Sequence, residues 1–98
     1  MKISFTAKLW EWQGQGAWCF VSLPVEYTPV IKGLETLPRK GFGSVRVEVT
    51  IGNITWKTSI FPDNKSGCYL LPVKKSVRTA EQIAPNDMLD VSVRIIDL

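Results

Sequence analysis

The feature that most constrains the fold is a seven-residue run in which every second residue is apolar. Residues 45–51 read Val-Arg-Val-Glu-Val-Thr-Ile. Because successive side chains of a β-strand point to opposite faces, this period of two predicts a strand with one buried face. The Gly52-Asn53 pair that follows favours a tight hairpin turn, where positive φ is needed. Residues 54–61 are then the expected partner strand, so the middle of the chain predicts an antiparallel pair.

The same strand pattern recurs along the rest of the chain. Residues 3–9 and 89–95 alternate apolar and polar side chains, and each run predicts a half-buried strand. Residues 17–23 are apolar on both faces, which is typical of a central strand, and Pro24 ends it because proline cannot donate to a ladder. Residues 68–71 predict a short strand stopped by Pro72. These segments together predict an all-β chain of about six strands.

A helical pattern is confined to one short segment, residues 73–83. The apolar residues spaced to face the core are Val73, Val77, Ala80 and Ile83. Residues 24–40 contain three prolines and Gly33, so they predict a loop that holds one short helical turn. We therefore expect one short helix.

Two parts of the chain resemble each other. Residues 19–25 read Cys-Phe-Val-Ser-Leu-Pro-Val, and residues 68–73 read Cys-Tyr-Leu-Leu-Pro-Val, with one residue inserted. Each is followed by an irregular or helical segment and then a valine-rich alternating strand. This repeat predicts two pseudo-symmetric halves that close one barrel. The alternative is chance, because the apolar ends of strands look alike.

Composition limits the chemistry of the chain. Its 98 residues are the size of one domain, residues 1–98. The absence of histidine excludes histidine-based triads and zinc sites, and two cysteines alone do not complete a structural zinc site. The carboxylates are scattered with no spacing typical of an acid/base pair. We therefore expect no cofactor, no metal and a non-catalytic role.

The cellular setting follows from two further features. The first residues become polar at once, unlike a signal peptide, and no apolar run approaches the roughly 18 residues that a membrane helix needs. We therefore expect a cytoplasmic protein with no membrane partner. In that reducing compartment Cys19 and Cys68 would stay free thiols with a structural role in apolar strands.

An ordered set of short motifs resembles a known family. The motifs are Phe5-Thr6-Ala7, Gly16-Ala17-Trp18-Cys19-Phe20, Leu23-Pro24, Val45 to Val49, Gly52, Ser59-Ile60-Phe61-Pro62, Gly67-Cys68-Tyr69-Leu70-Leu71-Pro72, Lys75, Arg78 and Asn86-Asp87. In this order they resemble the bacterial and archaeal family called domain of unknown function 1905. The resemblance implies a small double-split β-barrel and no established activity. Relatives usually have glycine where this chain has Asn86, and asparagine is the side chain that best tolerates the same left-handed conformation.

The first candidate site is a group of cations on the expected helix. Lys74, Lys75 and Arg78 are three or four residues apart, so their charges share one surface. Arg39 and Lys40 would lie near them if the two halves pack as proposed. Such a cluster would bind phosphate or another anion through charge-assisted hydrogen bonds. The alternative is a solvated face that supports solubility.

The second candidate site is a pair of tryptophans. Alternation places Trp10 and Trp12 on the face opposite Phe5 and Leu9. They form a contact surface if they are exposed, and are part of the interior if residues 24–40 cover them. The three aromatics expected in the core or at its rim are Trp18, Tyr27 and Trp56.

Three functions from different classes remain open. The favoured one is a binding module for a small anionic ligand or a protein partner. The second is a DNA-binding regulator, because residues 71–78 and 85–87 resemble the AbrB-type swapped-hairpin fold; the net charge of +3 is low for such a protein. The third is an enzyme that uses a carboxylate or a thiol. The chain is expected to be a monomer or a homodimer.

Overall fold

The computed structural model of the protein describes residues 1–14, 18–33 and 43–97. Within that part, the chain forms seven β-strands and two short α-helices. In chain order they are β1 (Lys2–Lys8), β2 (Trp10–Glu11), β3 (Cys19–Ser22), α1 (Tyr27–Gly33), β4 (Val45–Ile51), β5 (Ile54–Pro62), β6 (Tyr69–Pro72), α2 (Lys75–Ala80) and β7 (Met88–Asp97). The expected all-β class is confirmed.

The strands form a nearly closed antiparallel barrel in the order β1-β7-β4-β5-β6-β3-β2. Strands β1 and β2 lie at opposite ends of this order, yet only Leu9 separates them in the chain. The first of them pairs with β7 and the second with β3, so residues 2–11 join the two edges of the sheet. Counted as one strand, residues 2–11 reduce the number of strands to six, in agreement with the prediction of about six. The finer description, a double-split barrel, stays a prediction.

The core lies inside this barrel and consists of the apolar positions that alternation selects. Val45, Val47 and Val49 have no exposed surface, and the alternating residues of β7 are buried as well. Two backbone hydrogen bonds hold Leu9, which is also fully buried, against the turn before β7. Its N–H donates to the carbonyl of Asp87 at 2.9 Å, and its carbonyl accepts from the N–H of Asn86 at 2.7 Å. The interior is therefore sealed where the sheet closes.

The two halves of the barrel repeat each other's strand pairing. The pair Trp10↔Phe20 between β2 and β3 has its counterpart in Phe61↔Leu70 between β5 and β6. Strands β3 and β6 pair with each other, and so do β4 and β7, as a two-fold exchange of the halves requires. The predicted repeat is therefore present in the registers of the strands.

Backbone hydrogen bonds correct the alignment of this repeat. The N–H of Trp12 donates to the carbonyl of Trp18 at 2.8 Å, and the N–H of Asp63 donates to the carbonyl of Cys68 at 2.9 Å. Cys68 is therefore the counterpart of Trp18, whereas the sequence similarity pairs it with Cys19. Residues 18–23 correspond to residues 68–73 with no inserted residue, so the two Leu-Pro steps are not equivalent.

The helices differ from the sequence expectation. A seven-residue helix, α1, forms where a loop with one helical turn was expected, and α2 is shorter than residues 73–83. Helix α2 ends before Gln82, whose φ is 55°. The N–H of Ile83 donates to the carbonyl of Arg78 at 2.8 Å. This is a Schellman-type end with an unusual residue at the left-handed position. Ala80, expected to face the core, is therefore exposed in the last turn.

The turn before β7 has the conformation that was expected of it. Asn86 has φ of 80°, a left-handed conformation that asparagine accepts more readily than other side chains.

In the part of the chain that the structure describes, no helix is long and apolar enough to cross a membrane.

Candidate functional site

The predicted cations of α2 line a cleft on the outside of the barrel. We call it the basic cleft and define it by Lys57, Lys74, Lys75 and Arg78 with two tryptophans, Trp18 and Trp56. Its volume is about 470 Å³. Among the residues that the structure describes, no carboxylate lines it. The charged side chains among the described lining residues are therefore all cationic.

The end of β6 fixes where these cations lie. Val73 is buried, and its N–H donates to the carbonyl of Cys19 at 3.0 Å, so the chain leaves the barrel at a defined point. Lys74 is extended, with φ of −67° and ψ of 157°, and precedes the first turn of α2. Val77 anchors the helix in the core, which leaves Lys74 and Lys75 exposed at its start.

Arg78 is the most constrained of the four cations. Its Nε–H donates to the carbonyl of Val73 at 3.1 Å, and the residue is half-buried. This bond fixes the direction of the side chain and holds the guanidinium group beside the carbonyl that directly follows β6.

Lys57 reaches the cleft from β5 and was not predicted from the sequence. It lies opposite Glu48 on β4. Glu48 is bound by Arg94 at 2.8 Å, and this hydrogen bond, more than the charge of Lys57, holds the pKa of the Glu48 carboxyl below its ordinary value. The polar position of Lys57 in the alternation of β5 indicates only that it faces outward.

The two tryptophans of the cleft differ in exposure. Trp56 is half-buried and packs against the core, and Tyr27 does the same in the other half of the barrel, as expected for both. Trp18 was expected in the core or at its rim, but 57% of its surface is exposed. It lies just before β3 and outside the paired part of that strand. Its ring is available to a ligand in the cleft.

The repeat provides an internal comparison for the charges. The strand registers make Thr6 the counterpart of Lys57, and Pro24 follows Leu23 as Lys74 follows Val73. Both counterparts are uncharged, although the backbone is paired in the same way. The barrel thus forms without a cation at either of these two positions in its other half, so Lys57 and Lys74 are not required by the fold.

Lys74, Lys75 and Arg78 therefore lie together, as the sequence predicts. The two other residues of the predicted cluster, Arg39 and Lys40, lie outside the described residues. Whether an anion binds at the cleft stays a prediction.

A second depression lies beside the cleft on the outer face of β2, β3, β5 and β6. We call it the aromatic groove. Its apolar lining consists of Trp10, Trp12, Trp18, Phe20, Phe61, Leu70 and Pro72. Its volume is about 670 Å³. The two tryptophans of the predicted contact surface therefore differ in exposure: Trp10 is half-buried, whereas Trp12 is 48% exposed.

Contacts within the groove hold its floor in place. The rings of Trp10 and Phe20 are tilted by 32° with centroids 5.2 Å apart, and the indole N–H of Trp10 donates to Ser22 Oγ at 3.0 Å. Trp12 and Phe61 (42% exposed) form more open walls. Large exposed apolar side chains that share one depression are typical of a binding surface. The floor is fixed, while the rings that would meet a partner face solvent.

Two charged residues, Asp63 and Lys65, line the groove as well. The hydroxyl of Ser66 donates to Asp63 Oδ2 at 2.7 Å, and this bond chiefly holds the pKa of Asp63 below its ordinary value. Asp63 is therefore ionised at neutral pH and already has a hydrogen-bond partner. Its place is in the turn that links β5 to β6.

The thiols lie where a structural role was expected. Cys19 is buried in β3, and Cys68 is half-buried just before β6; both are free. Within the described residues, no three potential ligands of a metal ion are grouped together.

The fold and the cleft together define a class: a small antiparallel β-barrel with a cationic cleft on its outer surface. Residues 5–93 match the family described as a domain of unknown function, DUF1905. The match covers most of the chain, so this protein belongs to the DUF1905 family, as its motifs suggested. Among curated proteins, none matches the chain significantly.

Proposed function

We propose that the protein is a non-catalytic binding module that holds a small anionic ligand in the basic cleft. The observation that carries the proposal is the convergence of Lys57, Lys74, Lys75 and Arg78 on one cleft without a carboxylate among its described lining residues. Each would donate charge-assisted hydrogen bonds to a phosphate, sulfate or carboxylate group. Such bonds are shorter and stronger than those between neutral groups.

The dimensions of the cleft support a small-molecule ligand. Pockets for small molecules have volumes of about 300–1,000 Å³, and the basic cleft is within that range at about 470 Å³. The rings of Trp18 and Trp56 add apolar walls beside the charges. A ligand with an anionic group and an adjoining flat or apolar part would satisfy both.

The uncharged counterpart of the cleft argues against a purely solubilising role. Thr6 and Pro24 occupy the positions that correspond to Lys57 and Lys74 in the other half. If Lys57 and Lys74 served only to keep the surface hydrated, charged side chains at the two equivalent positions would serve equally well. Their concentration beside Arg78 supports a local purpose.

Phenyl phosphate and phenol are a matched pair of probes for this proposal, because they differ only in the anionic group. We expect amide shifts around α2 and the end of β6 on titration with phenyl phosphate, followed by two-dimensional NMR, and none with phenol. In the Lys74→Ala, Lys75→Ala double variant the affinity should fall by about tenfold, which corresponds to about 1.4 kcal/mol.

The matched control removes the same number of charges elsewhere. Lys2 and Lys8 are exposed on β1 and do not line the cleft, and their replacement by alanine lowers the net charge of +3 by the same amount. The Lys2→Ala, Lys8→Ala variant should bind like the unmodified protein. Equal losses in the two double variants would mean that net charge alone attracts the probe, and the proposal would be wrong.

The proposal includes a cytoplasmic location, with which the free thiols Cys19 and Cys68 agree.

A DNA-binding role is tested by a separate titration with duplex DNA at several salt concentrations. Duplex DNA would then bind with an affinity that falls steeply with salt, because bound counterions are released. We expect no such binding at physiological salt.

A further inference from the structure

The basic cleft and the aromatic groove are neighbours with a common wall. Trp18 and Pro72 line both of them. One side of this wall carries the cations of α2 and β5, and the other carries the exposed rings of Trp12 and Phe61. The outer surface therefore changes from cationic to apolar across the width of one or two side chains.

From this continuity we infer that the ligand is an amphipathic anion that occupies both depressions at once. Its anionic head lies in the basic cleft, and its apolar tail crosses Trp18 into the aromatic groove. The inference rests on the proposed function and names the class of ligand: a small molecule with a phosphate, sulfate or carboxylate head and an aliphatic or aromatic tail.

The composition of each depression supports this division. The cleft offers Lys74 and Lys75 to a head group, whereas the groove offers aromatic rings whose burial by a tail would release water from exposed apolar surface. The groove is the larger of the two, about 670 Å³ against about 470 Å³. A simple anion such as phosphate would leave it uncovered.

The charged residues of the groove are compatible with a tail in it. Asp63 already accepts hydrogen bonds from the hydroxyl and the N–H of Ser66, so it does not depend on a ligand for a partner. Lys65 is exposed in the turn after β5, where its ammonium group can stay in water beside a bound tail. An apolar tail would therefore bury no unpaired charge.

A series of alkyl sulfates, from methyl to octyl and kept below the micelle concentration, tests the inference. With the unmodified protein, each added methylene beyond butyl should raise the affinity two- to fourfold, since burial of one methylene is worth about 0.8 kcal/mol. Trp12→Ala, Phe61→Ala should at least halve this dependence on chain length, measured on a logarithmic scale, and leave methyl sulfate binding unchanged. Met88→Ala removes an exposed apolar side chain from outside the groove and should have no effect.

Different results would contradict the amphipathic ligand and the proposed function. If methyl sulfate binding depends on Lys74 and Lys75 while the chain-length dependence is the same in Trp12→Ala, Phe61→Ala and in Met88→Ala, the cleft binds anions but the tail lies elsewhere. The inference is then wrong and the proposed function stands. If the lysines affect no member of the series, both are wrong. Thermal unfolding of every variant shows whether the barrel is intact.

Discussion

A substitution at the junction of β1 and β2 tests how much the closure of the barrel contributes to its stability. Leu9 is fully buried there and lies between two strands that pair with different neighbours. Leu9→Ala removes three carbon atoms, worth about 2.4 kcal/mol of transfer free energy at about 0.8 kcal/mol per group. The cavity that remains adds to this loss, so we expect a total of about 3–5 kcal/mol.

This loss is a large fraction of the free energy of unfolding of a domain of this size, which is about 5–15 kcal/mol. Urea unfolding followed by tryptophan fluorescence and by circular dichroism would measure it. Ile60 is the counterpart of Leu9 in the other half and is equally buried, so Ile60→Ala should cost a similar amount. Leu70→Ala, at a half-buried position on the outer face, is the matched control and should cost much less.

The losses in free energy of unfolding for the three variants can contradict this reasoning in two ways. If Leu9→Ala costs no more than Leu70→Ala, then Leu9 does not fill the closed interior, and residues 2–11 do not join the two edges of the sheet. A large cost for Leu9→Ala with a small one for Ile60→Ala would instead refute the equivalence of the halves.

Two further predictions concern the turns. Asn86 has φ of 80°, so Asn86→Ala should lower the free energy of unfolding by about 1 kcal/mol, whereas Asn86→Gly should leave the urea midpoint nearly unchanged. Ser66→Ala removes the main hydrogen bond to Asp63, so the pKa of Asp63 should rise toward its ordinary value in an NMR titration. Because the folded-state pKa is lowered, Asp63 stabilises the fold above its unfolded pKa of about 4, and this contribution is lost as the pH falls through the folded value. Stability should therefore depend less on pH in this acidic range in Ser66→Ala than in the unmodified protein.

The barrel could be predicted from the sequence because alternation is a local signal with a direct physical meaning. In residues 45–51, every apolar position is buried, since a period of two assigns one face of the strand to the core. The end of α2 had no such signal. Gln82 is not a typical residue for a left-handed helix end, so the sequence did not indicate that Ala80 would be left in solvent.

The candidate site could be predicted only where its residues are neighbours in the chain. Lys74, Lys75 and Arg78 are on one short segment, and helical spacing alone brings them together. Lys57 joins them only because β5 pairs with β6 on one side of the barrel. The place of Trp18 beside these cations likewise depends on the pairing of β3 with β6. Such long-range relations are properties of the closed sheet and are absent from any single segment.

The repeated pairing of the strands distinguishes the side chains that the fold needs from those that it does not need. Equivalent backbone positions carry Lys57 in one half and Thr6 in the other, and both halves form the same ladders. A family built on this barrel can therefore exchange the side chains around the start of a helix while its interior stays the same. Ligand preference would then diverge among relatives faster than their architecture, and a shared fold would be a poor guide to a shared ligand.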